Sequence, residues 1–215
     1  MAAGIRNIIF DWSGTLVDDL PAVLAATNFV FGQNGVEQMS LDRFRAEFSL
    51  PFKDFYDRYC PHIPLAELER AFHGHMAKAT EKVLELPYAR EFLAYCREKK
   101  MRTFVLSAVH QDHFARQASD TGFEAFIDRA YVGVWDKRTK IVELLEENQL
   151  DRGQTLFIGD MQHDIETAKH GGVHSCAVLT GYNRLEQLRA SAPDVIVEHL
   201  GQLRDLLERD WPRTA

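Results

Sequence analysis

The first residue with clear chemical potential is Asp11, which ends the apolar run Ile8-Ile9-Phe10 and begins a turn containing Gly14 and Thr15. In open α/β sheets, ligands bind at the carboxyl ends of the strands, so this position is a candidate functional site. Gly14 and Thr15 suit a turn whose backbone amides point at an anion. Taken alone, an Asp before a Gly turn is more often structural.

A second carboxylate segment repeats this arrangement late in the chain. The run Phe157-Ile158-Gly159 is followed by Asp160 and, four residues further on, by Asp164. Two strands that end in carboxylates can converge on one hard cation through oxygen ligands. The alternative is that Asp160 and Asp164 cap a helix and interact with its dipole.

A hydroxyl and two lysines complete the set of candidate residues. Ser107 follows the apolar run Thr103–Leu106 and precedes a helical segment, where a phosphate can bind, although a Ser there can also be an ordinary N-cap. Phosphoryl transfer needs a cation near the nucleophile and the transferring group. Lys137 and Lys140 are the candidates, and either could instead be a solvated surface residue.

These candidates need a sheet to bring them together, and the apolar pattern predicts one. Short apolar runs predict buried strands at Ile5–Phe10, Arg102–Leu106, Thr155–Ile158, Val173–Leu179, Val195–Val197 and, less clearly, Phe126–Val134. Helical spacing falls between them, at Ala89–Lys99, Gln111–Thr121, Thr139–Asn148, Ile165–Lys169, Leu185–Ala190 and Leu200–Glu208. This alternation predicts an α/β fold with a doubly wound, parallel, Rossmann-like sheet.

A stretch without convincing strands interrupts this pattern after the first strand. Helical periodicity runs through Ala22–Phe31, Leu41–Phe48, Phe52–Tyr59 and Leu65–Val83. The sequence therefore predicts an α/β core of residues 1–17 and 86–215 and an inserted, all-helical cap of residues 18–85. The loop at Pro51, Phe52 and Lys53 is the predicted tip of that cap.

Composition narrows the class of protein and its partners. The chain has 215 residues, of which 46% are hydrophobic and 27% charged, as in an ordinary globular enzyme. A formal net charge of -7 argues against nucleic acid or an anionic membrane as a partner, since both need a basic face. Three scattered cysteines indicate reduced thiols. No signal peptide is evident at the N-terminus, and no apolar stretch approaches 18 residues. A cytoplasmic location is therefore expected. The sequence makes no prediction of the oligomeric state.

Taken in order, the candidate residues resemble the four motifs of the haloacid dehalogenase superfamily. These motifs are Ile8–Asp18, Ser107, Lys137 and Gly159–Asp164. The helical insertion resembles the cap of that superfamily's phosphoglycolate phosphatase and β-phosphoglucomutase branch. Two shorter segments, Ser49–Phe52 and Thr180–Tyr182, are also similar to stretches of that branch.

The resemblance implies a magnesium-dependent hydrolase of a small phosphorylated metabolite, with Asp11 as the nucleophile that forms an aspartyl-phosphate. Mg²⁺ would be held by Asp11, the backbone carbonyl of Ser13 and Asp160, with Asp164 bound directly or through water. Ser107 would bind the phosphoryl oxygens, and Lys137, preferred over Lys140, would offset their charge. The remaining substrate contacts expected from this comparison are Gly14, Thr15, Ala108 and Lys53.

The chain departs from the family pattern at Ser13, where phosphatases of this superfamily usually carry a second Asp that acts as general acid and base. Such catalysis contributes about 10²–10⁴-fold, whereas enzymes acting on phosphate monoesters reach up to ~10²¹-fold. The substitution therefore leaves two kinds of phosphatase open: one with Ser13, water or a cap residue in place of the carboxylate, and one whose substrate has a good leaving group. His110, His73 and His75 are candidate replacements, each more simply explained by packing or surface exposure.

Two other functions are compatible with the sequence. Asp11-Trp12-Ser13 also resembles phosphonatase-like carbon–phosphorus hydrolases, which use a cap lysine as a Schiff base. Lys53 is the candidate, with Lys78 and Lys82 as poorer ones, and the alternative for Lys53 is a solvated residue at the start of a helix. A non-catalytic member that binds a phosphorylated ligand or a partner protein is the third possibility, and a dehalogenase has no supporting feature.

Overall fold

A six-stranded parallel sheet forms the centre of the computed structural model, which describes residues 4–78 and 83–209. In chain order the eight strands are β1 (Asn7–Phe10), β2 (Val17–Asp18), β3 (Leu84–Glu85), β4 (Arg102–Leu106), β5 (Arg129–Tyr131), β6 (Thr155–Gly159), β7 (His174–Val178) and β8 (Val195–Val197). The sheet order is β5-β4-β1-β6-β7-β8, so the chain reverses direction of winding beside β1. The predicted doubly wound parallel sheet is confirmed.

Strand β1 can lie in the middle of the sheet because three of its four residues are apolar and the side chain of the fourth, Asn7, is hydrogen-bonded within the protein. Ile8 and Phe10 pack into one core cluster, whereas Ile9 packs into the cluster on the opposite face. The side chain of Asn7 is satisfied by the Thr155 hydroxyl at 3.1 Å. Apolar residues on both faces are typical of a strand covered by helices on both sides.

Helices cover the two faces of the sheet. One face packs against α5 (Ala89–Glu98), α6 (Gln111–Thr121) and α10 (Leu200–Leu207), and the other against α7 (Lys137–Glu147) and α8 (Gln162–Gly171). The short α9 (Leu185–Ala190) contributes Leu188 to a smaller cluster with Ile165 and Ala177. Helices α7 and α8 begin two and three residues earlier than predicted, because the apolar periodicity does not include their polar first turns.

The predicted insertion contains four helices with an aromatic core of their own. They are α1 (Leu20–Gln33), α2 (Leu41–Glu47), α3 (Phe52–Tyr59) and α4 (Leu65–Met76). Phe31, Phe44 and Phe55 are fully buried among them. Helix α4 ends at Met76, earlier than predicted, and residues 79–82 of the predicted helix lie outside the described residues.

A short antiparallel sheet, missed in the sequence, ties the two ends of this helical segment together. Val17 pairs with Glu85 and Asp18 with Leu84. Two-residue strands carry no periodicity, so the sequence could not show them. The division into a core and a cap at residues 18 and 85 remains a prediction. Across the described ranges, no helix has the length and apolar character that a membrane crossing requires.

Candidate active site

The central strands bring Asp11 and Asp160 together. Strands β1 and β6 are parallel neighbours in which Phe10 is paired with Ile158, so both chains leave the sheet at the same edge. Asp11, Asp160 and Asp164 are all buried, and one carboxylate oxygen from each lies within 4.8 Å of the others. Two carboxylate segments almost 150 positions apart in the chain thus form one cluster.

Asp11 is held in place through its backbone N–H and through one of its two carboxylate oxygens. The backbone N–H of Asp11 donates to the Ile158 carbonyl at 2.8 Å, which fixes the residue to β6. Asp11 Oδ1 accepts from the Trp12 N–H at 2.6 Å and contacts Lys137 Nζ at 2.9 Å. Burial raises the pKa of Asp11 above its ordinary value, although the charge of Lys137 acts in the opposite direction.

Lys137 supplies a buried cation between two of the carboxylates. Its side chain is fully buried, and Nζ lies 2.9 Å from Asp11 Oδ1 and 2.7 Å from Asp164 Oδ1. Burial alone would lower the pKa of Lys137, but Asp11 and Asp164 outweigh it and raise the pKa above its ordinary value. Lys140, the alternative lysine, instead pairs with Glu143 on the surface of α7.

Asp160 is held by contacts that only small neighbours permit. Its Oδ1 accepts from the Thr15 hydroxyl at 3.0 Å and its Oδ2 from the Tyr182 N–H at 2.7 Å. A Cβ at Gly181 would lie 2.0 Å from Asp160 Oδ2, and one at Gly14 2.4 Å, so larger residues there would collide with the carboxylate. Burial, followed by the charges of the other two aspartates, raises the pKa of Asp160 well above its ordinary value.

Asp164 has both of the roles that the sequence left as alternatives. Its Oδ2 accepts from the Met161 N–H at 3.0 Å, which caps the start of α8. Its Oδ1 contacts Lys137 Nζ. Capping and membership of the carboxylate cluster are compatible because a carboxylate has two oxygens.

The chemistry of this cluster fits a divalent cation. Three buried carboxylates lie around one lysine, which leaves two negative charges without a described partner of opposite sign. Oxygen ligands of this kind suit Mg²⁺ or Ca²⁺, and an unneutralised buried charge is costly. The raised pKa values of Asp11 and Asp160 express that cost.

A cavity of about 170 Å³ opens at this edge, and several predicted substrate contacts line it. Ser107 and Ala108 lie at the end of β4 and are among its lining residues, as are Asp11 and Lys137. Ser107 is buried, its N–H donates to the Tyr131 carbonyl at 2.9 Å, and its Oγ accepts from the Val109 N–H at 3.3 Å. The structure thus places a serine in the lining of the same cavity as Asp11, the member of the carboxylate cluster that lines it.

The turn after Asp11 is built differently from the prediction. The N–H of Gly14 donates to the Val17 carbonyl at 2.8 Å and the N–H of Thr15 to the Trp12 carbonyl at 3.3 Å. These amides therefore hold the turn and are not directed at an anion, which corrects the prediction. Gly14 and Thr15 instead contact Asp160, Gly14 by close approach and Thr15 by its hydroxyl.

Sequence reasoning missed Asp19, which lies beside Ser13 in the same cavity. Ser13 Oγ donates to Asp19 Oδ2 at 2.6 Å, and the Tyr182 hydroxyl donates to Asp19 Oδ1 at 3.1 Å. Asp19 is buried, and burial raises its pKa to about 6. The available signal in the sequence was a second carboxylate directly after Asp18, the last residue of the first motif.

The structure does not bring Lys53 into the cavity. Its side chain is 56% exposed and pairs with Asp57 one turn further along α3. Phe52, its neighbour in the predicted tip, does line the cavity, and so does Leu50 just before the tip. Lys78 is exposed and absent from the lining, and Lys82 lies outside the described residues.

Three histidines lie together where α4 meets α6. His73 Nδ1 is 3.1 Å from His113 Nε2, and the rings of His73 and His110 are centred 4.6 Å apart. All three line the cavity, and His113 had not been singled out in the sequence. His75 stacks on Phe29 instead.

Comparison with known proteins gives consistent results. The model of the haloacid dehalogenase-like hydrolase family matches residues 8–178. A phosphoglycolate phosphatase of Synechococcus elongatus is 24% identical over 90% of this chain and 93% of its own, and a 5'-nucleotidase of Pseudomonas aeruginosa is 26% identical over 94% and 95%. A haloacid dehalogenase-like family hydrolase from Streptococcus pneumoniae superposes with a TM-score of 0.82 at 21% identity, covering 93% of this chain and 96% of that one.

Proposed function

Because the chain belongs to the haloacid dehalogenase-like hydrolase family, we propose that it is a magnesium-dependent phosphatase acting on a small phosphate monoester through an aspartyl-phosphate on Asp11. The observation that carries this proposal is the cluster of Asp11, Asp160 and Asp164, with oxygens within 4.8 Å, joined by Lys137. Relatives of similar identity are named for phosphoglycolate and for nucleotides, so they support the reaction class and not one substrate.

In the first step the Asp11 carboxylate attacks phosphorus and the bond from phosphorus to the ester oxygen breaks. The attacking oxygen is Oδ2, because the contacts described for the Asp11 carboxylate, with the Trp12 N–H and with Lys137, both use Oδ1. Lys137 fixes the carboxylate and stabilises the charge near the transferring group. The Ser107 hydroxyl, in the same cavity, donates to a phosphoryl oxygen.

In the second step water attacks the phosphorus of the aspartyl-phosphate, which releases inorganic phosphate and restores the Asp11 carboxylate. The hydroxyl of Ser13 is fixed by its hydrogen bond to Asp19, and both residues line the cavity. We assign proton transfer at the ester oxygen and at the attacking water to this pair. Asp19 thus supplies, through Ser13, the carboxylate that is missing at position 13.

Mg²⁺ would be held by Asp11, Asp160 and Asp164, together with the backbone carbonyl of Ser13. When bound, the ion offsets the negative charge of the cluster and of the phosphoryl group. Thr15, Tyr182 and the two glycines keep Asp160 in position for this role. The predicted cytoplasmic location is compatible with such an enzyme and stays a prediction.

The placement of Lys53 favours a phosphatase over a carbon–phosphorus hydrolase. A Schiff base requires a lysine amine at the substrate carbonyl, whereas the Lys53 amine pairs with Asp57 at the exposed surface. Among the described residues, Lys137 is the one lysine that lines the cavity, and its amine is bound by two carboxylates. A purely binding protein would not require a buried carboxylate positioned for attack on phosphorus.

The test is phosphate release from a panel of phosphate monoesters with added Mg²⁺, then with EDTA and with Mg²⁺ restored. We expect activity that EDTA removes and Mg²⁺ restores, and an acid-stable phosphorylated form of the protein that maps to Asp11 after rapid quenching. Mg²⁺-independent release, or a covalent label on another residue, would contradict the mechanism. Borohydride trapping with phosphonoacetaldehyde should leave Lys53 unmodified.

A further inference from the structure

The cavity has two chemically different ends. Asp11, Ser107 and Lys137 lie at the end formed by the sheet edge. The other end is lined by apolar side chains of the helical segment, namely Val23, Phe48, Leu50, Phe52, Phe72 and Met76, which we call the apolar chamber. Phe52 also contacts Trp135, another lining residue, with ring centroids 5.4 Å apart, so this contact joins the chamber to the segment between β5 and α7.

The charged groups of the cavity are arranged unfavourably for a second anionic group on the substrate. Its lining contains three carboxylates, on Asp11, Asp19 and Glu69. Among the described lining residues, Lys137 is the single lysine and no arginine is present. Since Lys137 already contacts Asp11 and Asp164, no permanent cation remains for a carboxylate at the far end.

Two of the three histidines beside the chamber, His73 and His113, add no positive charge to this balance near neutral pH. Burial, together with the proximity of His110 and His113, lowers the pKa of His73 to about 4. Burial also lowers the pKa of His113. Both rings are therefore neutral donors and acceptors near pH 7, suited to a hydroxyl or an ether and not to an anion.

We propose that the apolar chamber selects phosphate monoesters whose alcohol portion is uncharged and largely apolar, a small aryl or short alkyl group, over esters that carry a second anionic group. This inference rests on the proposed phosphatase function and names its substrate class. The whole cavity, with both ends taken together, measures about 170 Å³, and engineered apolar cavities near 150 Å³ bind benzene, so the space beside the phosphoryl group suits a small alcohol portion and not a large one. Burying an unpaired carboxylate there would be costly.

A matched pair of substrates tests the inference on the unmodified chain. Benzyl phosphate and 4-carboxybenzyl phosphate release alcohols of similar basicity and differ by one carboxylate. With Mg²⁺ at pH 7.5 we expect kcat/KM to be at least about tenfold higher for benzyl phosphate, and higher for benzyl phosphate than for phosphoglycolate. Equal or reversed values for either comparison would overturn the inference and leave the phosphatase function intact.

A binding measurement separates this inference from the proposed function. Benzylphosphonate and 4-carboxybenzylphosphonate cannot be cleaved by the proposed mechanism, and their affinities can be measured by calorimetry with Mg²⁺. If benzylphosphonate binds at least about tenfold more tightly, the selectivity of the chamber is supported. This holds even if the protein hydrolyses no ester, a result that would contradict only the phosphatase function. Equal binding of the two phosphonates overturns the inference.

A cation placed in the chamber should weaken the preference for benzyl phosphate. Phe72→Arg is expected to reduce the ratio of kcat/KM for the benzyl pair at least about fivefold, whereas the matched Phe72→Met variant keeps it. If Phe72→Arg does not fold, Glu69→Gln removes a carboxylate from the lining and should narrow the ratio by about twofold to threefold. An unchanged ratio in a folded Phe72→Arg protein, or in Glu69→Gln if that variant must be used, would contradict selection by the chamber.

Discussion

The two ends of the cavity are built by different means. At the sheet end, Asp11, Ser107 and Asp160 directly follow central strands, and Lys137 is added from the first turn of α7. Hydrogen bonds fix these residues, as in Asp160, which accepts from Thr15 and Tyr182. The apolar chamber is assembled from side chains on three helices and a loop, whose positions depend on packing within the aromatic cluster around Phe31, Phe44 and Phe55. One end is fixed by the backbone and the other by side-chain packing.

This difference separates the chemistry of the protein from its selectivity. Position and charge at the sheet end decide whether phosphoryl transfer occurs, because a preorganised polar site stabilises the transition state. The chamber contacts the group that leaves, so its apolar residues decide which ester is held. Changes at the sheet end should therefore alter kcat strongly, whereas changes in the chamber should act mainly on KM.

The largest effect is expected from Asp11→Asn, which replaces the nucleophile with a neutral amide. We expect kcat to fall by at least about 10⁴-fold and the fold to remain, because the amide keeps the shape of the side chain. Phosphate release and circular dichroism measure the two quantities. Asp18→Asn, which removes an exposed carboxylate from the same segment, is the matched control and should retain activity. Measurable turnover by Asp11→Asn would exclude the assigned nucleophile.

The next largest effect is expected from Lys137→Met at the same end. Loss of the buried cation leaves Asp11 and Asp164 without their partner, and kcat should fall by about 10²–10³-fold. Lys140→Met, three residues further along α7, removes a surface charge that pairs with Glu143 and should keep activity within about twofold. Similar losses in both variants would show that Lys137 has no special role.

The sheet end could be predicted from the sequence because local patterns specify it. An apolar run indicates a buried parallel strand, and the residue that follows the strand must lie at the carboxyl edge of the sheet. This rule predicted the positions of Asp11, Ser107 and Asp160. Lys137 was harder, since the first turn of α7 has no apolar periodicity. The prediction that the amides of Gly14 and Thr15 point at an anion was wrong, because a turn of this kind can direct its N–H groups at its own carbonyls.

The chamber could not be predicted in the same way. Helical periodicity shows that a segment is a helix and which residues are apolar, but not which of them line a cavity and which fill the core. Phe52 and Lys53 are adjacent, yet one lines the cavity and the other pairs with Asp57 at the surface. Asp19 was missed for a related reason, since its role depends on Tyr182, which lies 163 residues away in the chain.

The Ser13–Asp19 pair lies between the two ends, and its variants should have an intermediate effect. Ser13→Ala and Asp19→Asn are each expected to lower kcat about 10- to 100-fold, below the usual range for a direct acid–base residue, because water can partly replace a relay. If the two residues act as a unit, the double variant should lose little more than either single one. Additive losses, measured as log kcat for the four proteins, would contradict the shared role.

Within the chamber, Phe52→Ala is expected to raise KM for benzyl phosphate about fivefold to tenfold, because the variant removes apolar contact with the leaving group. The value of kcat should change less than about threefold. Lys53→Ala is the neighbouring control and should leave both constants within about twofold, since its amine pairs with Asp57 at the surface. A large effect of Lys53→Ala would show that Lys53 reaches the substrate in the working enzyme. A pure kcat loss in Phe52→Ala would contradict the division between the two ends.

The smallest effect concerns the charge state of the chamber's edge. The pKa of His73 is lowered from 6.5, the value of an ordinary histidine, to about 4 in the folded protein. Burial is the main cause, followed by the nearby His110 and His113, whereas Asp112 acts in the opposite direction. The unfolded chain therefore binds more protons between these values, and stability falls as the pH decreases from about 6.5 to about 4. His73→Gln should lessen that loss by about 1 kcal/mol at pH 5, after allowance for partial solvent exposure.

Urea unfolding at pH 7.5 and pH 5 measures this difference, with His62→Gln as a control that changes an exposed histidine outside the cavity. Both variants share the carboxylates that also titrate, so the comparison between them isolates His73. A loss of stability at pH 5 that is as large in His73→Gln as in His62→Gln would mean that the ring already carries a proton when folded. The cluster would then be cationic, and the chamber would have a group able to receive an anion.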